Sequence, residues 1–334
     1  MGSEFEEQLT TQTENAPREL LARVFFFVCA FLSILTTLGI IVVLITESAK
    51  FFTPTAPLVG ITGETANVIE FLTGTTWSID EGKFGVLPLV AGTLVIVVGS
   101  AAIALPIGLA TAIYLSEYAS SRARAYLKPA LEILAGVPTV IYGFFALKYI
   151  TPALSVFFPN IDFFNGLSAS IVVGIMIIPM VSSISEDAMN AVPDELRQAG
   201  YGLGATKFDV SIGVVVPAAI SGIAASFILA LSRAIGETMA VALAAGSTPT
   251  LPAVGVVELA GVIIPYPTTE TLSIYLQSIQ PMTGAMVQLL FGDITGGGLA
   301  YRSLFAIGLT LFVMTLTMNI ISDLIAARYR EEYE

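Results

Sequence analysis

Asp194-Glu195-Leu196-Arg197-Gln198-Ala199-Gly200-Tyr201-Gly202-Leu203-Gly204-Ala205-Thr206-Lys207-Phe208 is the stretch whose reading decides the fold, together with what it leads into. It is polar and glycine-rich. From Val214 through Pro217 the chain then enters an apolar run that continues to Gly246, and two ionisable residues stand deep inside that run, Arg233 and Glu237. A solvent-facing segment, a membrane helix and a charge pair are thus covalently in series. Such a series is what would be needed to convert an event at a cytoplasmic surface into a change around an ion in the membrane.

Composition agrees with a membrane setting. The 334 residues are 55% hydrophobic and 12% charged, whereas soluble domains carry about 25% charged residues. The absence of histidine removes imidazole bases and histidine metal sites, and the single cysteine, Cys29, excludes a disulfide framework and a cysteine-rich metal site. No catalytic constellation and no metal site is expected. The net charge of −12 argues against nucleic acid, because no basic stripe is available for a phosphate backbone. The acidic, polar N-terminus does not read as a cleavable signal.

Outward from that stretch, six apolar runs qualify as spans of an all-α integral membrane protein: 24–46, 86–115, 131–151, 167–185, 214–246 and 301–325. Each approaches the length needed to cross about 30 Å of hydrocarbon. Pro106-Ile107-Gly108 predicts a kink in the second. Residues 1–23 and 326–334 read as tails, and 194–209 as a polar segment between the fourth and fifth spans. With both termini cytoplasmic, that side holds Arg18, Arg23, Arg122, Arg124, Lys128, Arg197, Lys207, Arg328 and Arg330, and the other only Lys50, Lys83, Lys148 and Arg302. The positive-inside rule selects this orientation. In the loop from 247 to 300, residues 254–264 are too short to span and read as an interfacial or buried helix, with a re-entrant half-helix as the alternative. Gly296-Gly297-Gly298 lacks a P-loop pattern and reads as a flexible loop; no Walker motif occurs anywhere. Trp77, Phe51, Phe52 and Phe71 read as interfacial anchors or as the seat of an external partner.

Arg233 and Glu237 are four residues apart, on one face of a continuous helix, with Arg233 roughly 24 Å beyond Pro217. Each costs about 2.5–3.5 kcal/mol alone at a helix centre, so both are expected to face protein or water. A mere intrahelical ion pair is the plainer reading, but Arg before Glu is the poorer orientation for one. The guanidinium fork matches tetrahedral oxyanions. Gly222, Ser226, Ala230, Ala240 and Ala244 form a small-residue stripe that admits a neighbouring helix or a solvated path. Glu237 is expected to hold Arg233 when the path is empty and to release it when an anion arrives.

Gln198-Ala199-Gly200, then Gly204, then Val214-Val215-Val216-Pro217 resembles the EAA loop of ABC importer permeases, E-A-A-x3-G-x9-I-x-L-P, with Gln198 at the Glu position, Gly200 at the second Ala, and Glu195 one turn earlier. Ser232-Arg233-Ala234-Ile235-Gly236-Glu237-Thr238-Met239-Ala240-Val241 is similar to the PstC family of phosphate permeases. So are Phe84-Gly85-Val86-Leu87-Pro88, Tyr114-Leu115-Ser116-Glu117-Tyr118-Ala119 and Gly136-Val137-Pro138-Thr139-Val140-Ile141-Tyr142-Gly143.

The resemblance implies a type I ABC importer permease of the bacterial inner membrane. Its implied partners are a PstA-like second permease, a PstB-like ATPase dimer that binds ATP and Mg, a PstS-like external phosphate-binding protein, and membrane lipid. This chain would itself bind no cofactor and would be a non-catalytic subunit. The resemblance gives Arg233 and Glu237 to the substrate path, and Glu195, Gln198, Ala199, Gly200, Gly204 and Pro217 to coupling with the ATPase. Sulfate or molybdate remains an alternative cargo, since an Arg fork suits any oxyanion. An ATP-independent secondary anion transporter, and a receptor-like scaffold that senses an anion, are alternatives of other classes.

Overall fold

The structure, a computed structural model, describes residues 17–52, 66–259, 262–292 and 298–328. It is mostly helical. Among the described residues, four helices are long and apolar enough to cross a membrane: α1 (Pro17–Phe52), α3 (Leu87–Ile113, continued by a π-turn at Tyr114–Tyr118), α7 (Gly166–Asn190) and α15 (Leu299–Arg328). Between α1 and α3 lie α2 (Val68–Thr73) and a small antiparallel ribbon, β1 (Trp77–Ser78) and β2 (Lys83–Phe84). Much of the first span's apolar surface is exposed, Phe25, Phe26 and Phe27 included. Such a surface requires lipid or another protein.

The third and fifth spans depart from the sequence expectation of single helices. The third is α4 (Ser121–Gly136) followed by α5 (Thr139–Phe145), a π-turn and α6 (Thr151–Ser155), bent by 88°. Val137 is extended (φ −66°, ψ 128°) because the residue before a proline is pushed out of the α region, and Pro138 has no N–H to continue the ladder. The fifth is α9 (Lys207–Val210), a π-turn at Ser211–Val215, α10 (Val216–Ala218), then α11 (Ile220–Ile235) at 71° and α12 (Met239–Ala244). The π-turn accommodates Pro217, whose ring clashes with the carbonyl one turn back in regular helix. Pro106, by contrast, lies within an unbroken α3. The fourth span also runs past its expected end at 185, so that Glu186 is inside α7.

Helix α7 is the axle of the fold. α3 runs along it, and α11 crosses it where Gly222 meets Ala188: a Cβ on Gly222 would lie 2.4 Å from the Ala188 Cβ. Ser226 and Ser185 hydrogen-bond across the same contact at 2.7 Å. At Gly222 and Ser226 the small-residue stripe therefore serves close helix packing. α15 packs against α11 and α1. Asn165 starts α7 by accepting from the Ser168 N–H at 2.7 Å, and Ser120 starts α4 by accepting from the Ala123 N–H.

The region expected to hold a helix at 254–264 is instead an antiparallel hairpin, β3 (Val254–Leu259) with β4 (Val262–Pro267). Its β-branched residues favour strand, and Pro265 and Pro267 oppose helix. Helices α13 (Thr269–Ser273) and α14 (Met282–Phe291) follow. Gly296 and Gly297 lie outside the described residues. Phe51, Phe71 and Trp77 are neither lipid anchors nor a docking seat. They are buried with Phe84, ring centroids 5.5 to 5.6 Å apart and edge-to-face, and they join the end of α1 to the ribbon.

Candidate functional site

Arg233 and Glu237 do not share a helix face. Helix α11 ends at Ile235, and Gly236–Thr238 form a break before α12. Arg233 is exposed and has no hydrogen bond or ion pair among the described residues. Glu237 is 8% exposed. Its Oε1 accepts from the Ala240 N–H at 3.2 Å, and its carbonyl accepts from the Thr283 hydroxyl at 2.8 Å. The carboxylate thus satisfies one of the orphan N–H groups opening α12, where the helix dipole favours negative charge. The expected ion pair is absent from this conformation because the chain breaks between its members.

Arg233 opens into a cavity of 390 Å³ between α4, α7 and α11, shared with Lys128, Glu132, Ser183 and Glu186. Its wall on α7 extends from Met176 to Glu186, about 15 Å of helix. Glu186 is 1% exposed. The Lys128 ammonium stands 3.0 Å from its Oε1 and Arg124 Nε 3.7 Å from the same atom, yet neither carboxylate oxygen has hydrogen-bond geometry to any partner among the described residues. The Arg124 guanidinium is engaged instead with the Leu115 and Ser116 carbonyls at the end of α3, where a helix leaves acceptors unsatisfied. The charges at Arg124 and Lys128, read from sequence as topology markers, are also structural, and Lys128 lines the cavity.

The polar segment forms α8 (Asp194–Gly202). Gly204 ends it at φ +83°, a left-handed conformation that costs other L-residues roughly 1–2 kcal/mol. Thr206 and Asp209 then form a reciprocal cap for α9. Of the expected coupling residues, Glu195, Gln198, Ala199, Gly204 and Pro217 are exposed and Gly200 is half-buried under Val210. The segment also shows apolar surface outward: Leu203 is 90% exposed, with Tyr201 and Phe208 beside it. Arg197 points the other way. It is 15% exposed, pairs with Glu117 at 3.3 Å and donates to the Met189 and Val192 carbonyls.

Sequence reasoning missed Glu186, Lys128 and the Glu117–Arg197 pair as site groups. Glu186 follows an apolar run and reads as the first residue of a polar loop. Nothing in one sequence ties it to a lysine on another helix.

The family described as "Binding-protein-dependent transport system inner membrane component" matches residues 104–331. The chain is 33% identical over 262 residues to the probable ABC transporter permease protein YqgH of Bacillus subtilis, covering 78% of each. It is 32% identical over 280 residues to the phosphate transport system permease protein PstC of Xylella fastidiosa, covering 78% of this chain and 79% of that one. Its fold is similar to a bacterial ABC transporter involved in the import of the acidic polysaccharide alginate, with a TM-score of 0.60 at 12% identity, covering 97% of this chain and 100% of that chain. It is also similar to the MetNI methionine ABC transporter, with a TM-score of 0.50 at 15% identity, covering 74% and 94%. These last two establish the type I permease architecture. With a matched region that takes in the break at Pro138, the polar segment and the cavity arginine, the chain belongs to the family of binding-protein-dependent transport system inner membrane components, as an ABC transporter permease subunit.

Proposed function

We propose that the chain is the PstC-type permease of an ATP-driven phosphate importer. The observation that carries this reading is Arg233: an arginine without a protein partner among the described residues, opening into a cavity that also holds Lys128. A guanidinium that keeps its donors free in a cavity of a membrane-spanning chain is available to a ligand anion, and its fork suits a tetrahedral oxyanion. Similarity to the PstC proteins favours phosphate among the oxyanions.

In this reading Arg233 faces the anion, and Glu237 holds the break that positions it. Glu195, Gln198, Ala199, Gly200, Gly204 and Pro217 belong to the surface and pivot that meet a PstB-like ATPase dimer, which binds ATP and Mg. The outward Leu203 and Phe208 supply apolar anchors for that contact. Closure of the ATPase pushes α8, Arg197 transmits the displacement to the ends of α3 and α7, and the cavity changes shape. A PstA-like permease covers the exposed apolar faces, and a PstS-like protein delivers phosphate from outside. The assembly sits in the bacterial inner membrane. The anion shifts the equilibrium only through different contacts in the two states.

The test is radiolabelled phosphate uptake by the reconstituted transporter. Arg233→Ala at normal abundance should reduce uptake at least tenfold while basal ATP hydrolysis persists. Uptake retained by that variant, or driven without ATP, sinks the reading.

A further inference from the structure

We propose that Glu186 is a specificity-determining carboxylate of the anion path, accepting a hydrogen bond from the O–H of a protonated oxyanion and so refusing a fully deprotonated one. The inference rests on the phosphate-import reading and adds to it the group that separates phosphate from sulfate.

Glu186 is almost wholly buried, lines the cavity and, with Oε1 ion-paired to Lys128, has no donor on Oε2 among the described residues. A buried acceptor left unmade costs about 1–3 kcal/mol, and more when it is charged. Lys128 holds Oε1 in an ion pair at 3.0 Å, Arg124 spends its donors on the α3 carbonyls, and Oε2 has no donor among the described residues. Were joining α4 to α7 its whole task, both oxygens would be bonded in the way that Asn165 bonds its neighbours at the other end of α7. What the chain leaves open is an acceptor in a cavity whose cations, Arg233 and Lys128, attract oxyanions.

An ionised carboxylate has acceptors only. Beside an oxyanion without protons it is repulsive. Beside hydrogen phosphate it accepts the remaining O–H, and the pair becomes attractive through a charge-assisted bond. Sulfate has the same shape and, at mildly alkaline pH, the same charge, but no proton to donate. A site built to bond a substrate hydroxyl rejects the analogue lacking it because its own polar group is then stranded.

The test bypasses the binding protein, which would impose its own selectivity. The transporter, complete with its second permease and ATPase and with cysteines removed from those chains, is placed in lipid nanodiscs. This chain carries Cys29→Ser and Ser183→Cys, the latter on the cavity wall. The rate of N-ethylmaleimide modification is followed at mildly alkaline pH with phosphate, sulfate, arsenate or selenate. Phosphate and arsenate should protect at concentrations about tenfold lower than sulfate and selenate, a modest fraction of the discrimination a hydroxyl-reading site reaches. Glu186→Gln should bring the four together.

Arsenate and selenate are matched in size and differ in the proton, so their comparison in the chain with Glu186 intact decides the matter even where Glu186→Gln fails to assemble. Equal protection by those two, protection by none of the four, or an unchanged ratio in Glu186→Gln overturns the proposal. Phosphate uptake by the same complex, reconstituted into proteoliposomes with binding protein restored, separates the two readings. Uptake without discrimination removes the role of Glu186 alone, and an unaltered complex that takes up no phosphate removes the import reading with it.

Discussion

Arg197 and Glu117 lie eighty positions apart in the chain and 3.3 Å apart in space. The arginine comes from the solvent-facing helix α8, the glutamate from the π-turn that ends α3. Because the same guanidinium also donates to the carbonyls of Met189 and Val192 at the end of α7, one side chain fastens α8 to two spans at once. A push on α8 therefore reaches both.

Arg197→Ala should lower the stability of the assembled transporter by on the order of 3 kcal/mol, since it leaves Glu117 buried without its partner. Uptake should fall by at least tenfold while ATP hydrolysis continues. Exchanging the two residues should not restore uptake, because the carbonyls of Met189 and Val192 would then face a carboxylate. Melting of the purified complex and uptake in proteoliposomes measure both effects.

Gly204→Ala should cost about 1–2 kcal/mol, the strain of a side chain at φ +83°. A Cβ placed there would meet none of the described residues within 4 Å, so the cost is conformational and the fold survives. The measurable consequence is weaker co-purification with the ATPase, because the end of α8 shifts.

Gly222→Leu should behave differently. Its side chain would have to displace Ala188 at the crossing of α7 and α11, and overpacking costs typically about 1–3 kcal/mol or more. Loss of folded protein in membranes, with partial recovery on pairing with Ala188→Gly, is the expected outcome.

Glu237→Gln and Glu237→Ala should separate folding from transport. Gln keeps an acceptor for the Ala240 N–H and should melt like the unaltered chain, whereas Ala removes it at a cost of about 1 kcal/mol. Uptake should fall in both, since both remove the negative charge at the break that follows Arg233.

Phe51→Ala should destabilise the chain by about 3–5 kcal/mol, because the ring is central to the edge-to-face cluster with Phe71 and Phe84. Binding of the external phosphate-binding protein to whatever complex remains folded should be unchanged, which distinguishes a packing role from a docking one.

The segment 194–209 was legible because its chemistry is local. Acidic residues open the helix, Gly204 closes it, and the spacing to Pro217 is a one-dimensional signal. Long apolar runs were legible for the same reason, and so was Arg233, whose cost in a membrane needs no knowledge of its neighbours. Where the sequence reading failed, the deciding forces lay between elements. Arg233 and Glu237 looked like an i, i+4 pair because periodicity assumes an unbroken helix, and the break at Gly236–Thr238 is held by Thr283 from another helix. Phe51 and Trp77 looked exposed because aromatic residues near a span end usually are, and only their mutual contacts bury them.

By itself, the order of residues determined a mostly helical membrane chain with a polar lever and an arginine in its fifth apolar run, since hydrophobic length, glycine conformation and the cost of a charge in lipid are properties of single residues and short windows. Only the tertiary structure decided which charges meet. Lys128 reaches Glu186, Arg197 reaches Glu117, and Arg233 is left free among the described residues, because ion pairing depends on distances of a few ångströms between helices whose crossing is set by packing at contacts such as Gly222 on Ala188.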